Sequence, residues 1–138
     1  MTQTISHHAA LIYLMVLVSA ADANMSDKEL RTIGEIVKRF PVFNGFDCER
    51  LVPVAEECGA IMAEENGGLQ AVLGLAREAI PDKLKETAYA IAIEVATADN
   101  CCGQEVLRVL ELIRQTLDID LLYAGAIERS ARARHMTL

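Results

Sequence analysis

AALIYLMVLVSAADANMSDKELRTIGEIVKRF, residues Ala9 to Phe40, is an apolar run that ends in Ala-Asp, crosses a short polar loop and resumes as an acid-led amphipathic segment. ETAYAIAIEVATADNCCGQEVLRVLELIRQTL, residues Glu86 to Leu117, repeats the pattern. Placing Glu29 on Glu105 brings Glu35 onto Glu111, Ile36-Val37 onto Leu112-Ile113 and Lys38 onto Arg114. Placing Asp22 on Asp99 leaves the second loop one residue shorter. Two matching helical hairpins, 9–40 and 86–117, imply an internal duplication whose halves pair about a pseudo-twofold axis. The two loops, each with a pair of carboxylates, are then expected on the same side of the bundle.

Periodicity extends the helical reading outward. Leu30, Ile33, Val37 and Phe40 share one face of a helix opened by Ser26, with Lys28, Arg31, Glu35 and Lys38 off it, and Phe40-Pro41 ends it. A third helix, from about Asp47 or Pro53, carries Leu51, Val54, Ala55, Cys58, Ile61 and Met62 and stops at Asn66-Gly67-Gly68. A fourth carries Leu69, Val72, Leu73, Ala76 and Ile80, and Pro81-Asp82 opens the fifth. The sixth shows Val106, Val109, Leu110, Ile113 and Leu117, and the last runs from after Asp118 through Leu121, Leu122 and Ile127. No segment alternates with the period of two that a strand requires. The expectation is an all-α bundle of about seven helices, one domain over residues 1–138, the length being enough for one good core.

The apolar run Ala9 to Ala21 falls short of the roughly 20 residues that span a bilayer. The preceding MTQTISHHA has no Lys or Arg to make a leader's basic region, and the same pattern recurs mid-chain. Both runs therefore read as buried core helices. No direct membrane insertion is expected, and the chain is placed in the cytoplasm with its cysteines reduced. A net charge of -7 argues against nucleic acid and is compatible with cations. Arg129, Arg132, Arg134 and His135 make the end of the chain locally basic, read as complementing a helix dipole.

Asp22 and Asp99 each follow the end of a helix, where the dipole opposes a carboxylate by about 0.3–1 kcal/mol. An Asx-turn compensates such a charge, and so does a bound cation shared between the loops. Ser26-Asp27-Lys28-Glu29 fits a capping box, whereas Cys102 stands three residues before Glu105 and caps poorly. A calcium loop starting at Asp22 fails, since Asp27 and Ile33 occupy the positions that need Gly and a bidentate Glu. Asp22, Glu29, Asp99 and Glu105 are thus the candidate ligands of a divalent cation of unspecified identity. Cys48 and Cys58 follow a buried pattern, and Cys101-Cys102 form no CxxC site. His7 and His8 lie near an end expected to fray and His135 near the other, so none is placed as a general base. Glu94, alone among Ala, Ile and Val, is expected exposed or paired.

Ala20-Ala21-Asp22, Ser26-Asp27-Lys28-Glu29, Ala96-Thr97-Ala98-Asp99 and Glu105 together resemble the TerB-like family associated with bacterial tellurite resistance, the helical order matching over roughly residues 9–127. The resemblance implies a bundle of about seven helices with two pseudo-twofold hairpins. It also implies a non-enzymatic role in stress response, as a metal-associated or interaction module with a protein partner, in some cases a membrane protein. Family members commonly carry Gly after the loop Asp, where this chain has Ala23 and Asn100. A pure protein-interaction adaptor without a metal site is the other reading, and a thiol-dependent enzyme using Cys101 and Cys102 lacks a nearby base.

Overall fold

The computed structural model describes residues 5–21, 27–64, 67–98 and 103–138. Over these the chain forms seven α-helices: α1 His7–Ala20, α2 Asp27–Arg39, α3 Leu51–Met62, α4 Gly68–Ala79, α5 Lys85–Ala98, α6 Gln104–Leu117 and α7 Leu121–Arg134. No strand occurs among the described residues, in agreement with the all-α reading.

Helix α1 is apolar on every face, so it can be stable only in the middle of a bundle. Every residue from Ala9 to Ser19 is buried, and α1 packs against α3, α4, α5 and α6. Each fully buried Leu, Ile or Met there contributes roughly 1.5–3 kcal/mol. Helix α5 is its counterpart, burying Ala88, Tyr89 and Ile91 to Ala96 and packing against α1, α6 and α7. The core lies between these two helices. No described helix is long and apolar enough to cross a membrane.

The amphipathic arms behave as their periodicity requires. Helix α2 buries Ile33, Ile36 and Val37 and exposes Lys28, Arg31, Glu35 and Lys38. Helix α6 buries Val106, Leu110, Ile113 and Leu117. Helix α2 also touches α5, and α6 touches α1, so each hairpin lays its second helix against the other's apolar arm.

The ends depart from expectation in informative ways. The N-terminal end is pinned at the histidines: Ser6 accepts the Ala9 amide at 3.1 Å and starts α1 at His7. His8 stacks on Phe43, meets the edge of Phe46, and its Nε2 lies 2.9 Å from the Val42 carbonyl. Asp47 caps a 3-10 turn, Cys48–Arg50, that leads into α3, leaving Cys48 exposed rather than buried. Helix α3 stops at Met62, before the glycines, which instead begin α4. Gly67 has φ 85°, which most side chains adopt only with strain, and a Cβ on Gly68 would stand 2.5 Å from the Ile61 carbonyl oxygen, so Gly68 has no room for a side chain. Asp118 closes α6 with φ 56°, the left-handed conformation an Asp side chain tolerates.

Candidate functional site

Two of the four candidate cation ligands fall among the described residues. Glu29 is half-buried in the first turn of α2, and Glu105 is exposed in the first turn of α6. Both positions favour a carboxylate, because the positive end of the helix dipole faces it. Asp22, Ser26, Asp99, Asn100, Cys101 and Cys102 lie outside the described residues, as does Ala23. Among the described residues, no group of three or more His, Cys, Asp or Glu side chains is disposed to hold a metal ion.

Within each half a tyrosine ties the apolar arm to a third helix, in a way the sequence pattern did not single out. The Tyr13 hydroxyl of α1 donates to Glu57 of α3 at 3.4 Å, and the Tyr89 hydroxyl of α5 donates to Glu128 of α7 at 2.6 Å. Tyr13 and Tyr89 are separated by the same interval as Glu29 and Glu105. Each hairpin is thus tied to a third helix, α1-α2 to α3 and α5-α6 to α7, with α4 between them. Burial, then the charge of Glu57, raises the Tyr13 hydroxyl to about 12. Tyr89 is likewise pushed up, by burial first and then by its bond to Glu128.

The third helices dock differently. Helix α3 buries Leu51, Val54, Ala55 and Cys58, whereas α7 buries only Ala124 and Ala131. Alanines cannot fill the space that leucine and valine fill, and polar ties supplement the packing of Ala124, Ala131 and the half-buried Ile127. The principal tie is at Glu94, which sits buried among the apolar residues of α5. Its carboxylate pairs with Arg134, and its Oε2 lies 2.6 Å from His135 Nε2. Burial pushes the Glu94 carboxyl up, but hydrogen bonds from His135 and Arg134 and their charges outweigh it and hold the group below the usual range. Glu94 is thus both buried and paired, and at least one of the terminal arginines serves a buried carboxylate rather than the helix dipole. A lone acid in an apolar run needs a cation, and the basic stretch at Arg129–His135 was the visible donor of one.

A cleft of about 520 Å³ opens between α5, α6 and α7. Its floor is Tyr89, Ile93, Ala96 and Leu110, and Leu107 and Met136 carry the apolar surface outward. Charged side chains ring the opening: Glu111 and Arg114 from α6, Glu128 and Arg132 from α7, and His135 just beyond α7. The cleft follows from the small docking residues of α7. On the opposite half, Cys58 is buried and its thiol pushed up to about 12 by that burial, which leaves it chemically inert.

No protein-family model, curated protein or solved structure matches the chain.

Proposed function

We propose that this chain is a non-enzymatic, TerB-like binding module of bacterial tellurite resistance and stress response. In this reading it acts in the cytoplasm, associates with a divalent cation through Asp22, Glu29, Asp99 and Glu105, and docks a protein partner, such as a membrane protein. The observation that carries the reading is the repeated hairpin. In each copy a buried apolar helix is followed by a helix whose first turn holds the acid, Glu29 in α2 and Glu105 in α6. Asp22 and Asp99 follow the C-terminal ends of α1 and α5 in sequence, where a carboxylate is opposed by the dipole and a cation relieves it.

The test is thermal melting of the full chain with calcium, magnesium, manganese and zinc, since a ligand that binds only the native state raises Tm by mass action. A rise abolished by Asp22→Asn with Asp99→Asn supports the cation site. A rise that survives both places the cation elsewhere, and no rise with any ion removes the cation from the proposal.

The second reading, an adaptor without metal, is favoured by a different observation. Leu121, Leu122 and Tyr123 are 71%, 75% and 53% exposed at the start of α7, a contiguous apolar patch of the kind that marks contact surfaces. Under this reading the wild type shows no cation response, while charged substitutions at the patch weaken partner binding.

A further inference from the structure

The α5-α6-α7 cleft has the composition of a small-molecule site, independently of the acidic loops. Its volume of about 520 Å³ falls within the ~300–1,000 Å³ usual for ligand cavities, which are mostly apolar with a few placed polar groups. Tyr89, Ile93, Ala96 and Leu110 give an apolar floor, and exposed Leu107 and Met136 prolong it to the surface.

The charged groups at the opening are not equivalent. Glu128 already receives the Tyr89 hydroxyl at 2.6 Å, and Glu111 receives Gln115 at 3.4 Å. His135 is engaged by Glu94. Among the described residues, Arg114 and Arg132 make no ion pair or side-chain hydrogen bond, and they come from different helices onto the same opening. Both carboxylates at the mouth thus already accept a hydrogen bond, whereas among the described residues neither guanidinium has a donor engaged, and a guanidinium matches a carboxylate in geometry and charge. Apolar floor and free guanidinium rim together select a molecule with an anionic end and an apolar body.

We propose that the cleft binds a single-chain amphiphilic carboxylate, its hydrocarbon lying on Ile93, Ala96 and Leu110 and its carboxylate held by Arg114 and Arg132. The ordering is set by desolvation: the hydrocarbon goes to the dry floor, while the carboxylate stays at the rim where both arginines and water reach it.

Isothermal titration of the full chain with decanoate, below its micellar range and with a chelator present, tests this separately from any cation site. One-to-one saturable binding is expected, with decan-1-ol at least tenfold weaker and decyltrimethylammonium not binding. Arg114→Gln with Arg132→Gln should weaken decanoate at least tenfold and leave decan-1-ol unchanged, and Glu111→Gln should tighten decanoate. Arg132 is exposed and Arg114 half-buried, and unchanged circular dichroism verifies that the variants fold. Absence of saturable decanoate binding, equal binding of decan-1-ol, or indifference to the arginine substitutions would overturn the proposal. Ala96→Leu, which fills the floor and leaves every charge in place, should abolish binding of both decanoate and decan-1-ol, and retention by this variant would equally refute the site.

Discussion

The Tyr89 hydroxyl lies 2.6 Å from Glu128 Oε2, joining the buried face of α5 to α7. Its counterpart between Tyr13 and Glu57 spans 3.4 Å. A short bond to a carboxylate is worth about 1.5–3 kcal/mol, and a long one considerably less. Tyr89→Phe is therefore expected to lower unfolding free energy by about 1–2 kcal/mol, and Tyr13→Phe by less than about 1 kcal/mol. Urea denaturation of the two variants measures the difference, and equal losses would show that the shorter tie is not the stronger.

Glu94 sets a pH dependence. Its folded carboxyl lies below its ordinary value of 4.5, so it binds protons more weakly in the native chain than in the unfolded one. The stability it adds is fully present above the unfolded value and is lost as pH falls through the lower folded value. Glu94→Gln should cost about 1–3 kcal/mol near neutrality, because Arg134 and His135 retain access to water while the buried position keeps a polar group. In parallel denaturant titrations the gap between wild type and variant should close below about pH 4. A gap constant from pH 7 to 3 would contradict the pairing.

Asp118 holds a left-handed conformation at the C-terminal end of α6, where both its φ of 56° and the helix dipole work against it. Asp118→Gly relieves both and should raise stability by about 0.5–1.5 kcal/mol, read as an increase in Tm. Asp118→Val should lower it.

Gly68 faces the carbonyls of Ile61 and Met62 with no room for a Cβ. Gly68→Ala should cost about 1–3 kcal/mol by overpacking, whereas Gly74→Ala, where nothing stands within 4 Å, should be stabilising. Thermal melts of the two variants test the contrast.

Thiol reactivity should separate the two described cysteines. Cys48 is exposed, while Cys58 is buried with its thiol raised to about 12. Mass-spectrometric mapping after brief alkylation should find Cys48 modified and Cys58 intact, and Cys58 should react at the rate of global unfolding.

The helices were legible because their signal is local. Ile33, Ile36 and Val37 or Val106, Leu110 and Ile113 lie one helical turn apart, and the burial of α1 follows from a run with no polar face. What the pattern could not reach was pairing across the fold. Glu94 meets residues far along the chain, and only docking of α7 decides that Arg134 and His135 take that role. His8 likewise depends on where Phe43 and Phe46 come to rest. The last helix lies where Leu121, Leu122 and Ile127 place it, but which of its faces docks was not legible: Leu121 and Leu122 are exposed and Ala124 and Ala131 are buried. Of the candidate site, Glu29 and Glu105 are where the periodicity put them, on first helical turns, while the cleft arises from a volume mismatch that no spacing encodes.

The encasement of α1 governs the order in which the molecule can be completed. Its surroundings are α3, α4, α5 and α6, all of them downstream in the chain. At about 5–20 residues per second, the ribosome takes on the order of several seconds to pass from the end of α1 to the end of α5. Over that interval a segment as greasy as Leu11 to Val18 has been made and its covering helices have not. Most native contacts for it are distant in sequence, which delays their closure further. Shelter from other nascent chains during those seconds is thus a condition of the fold, set by the sequence of translation rather than by the stability of the finished bundle.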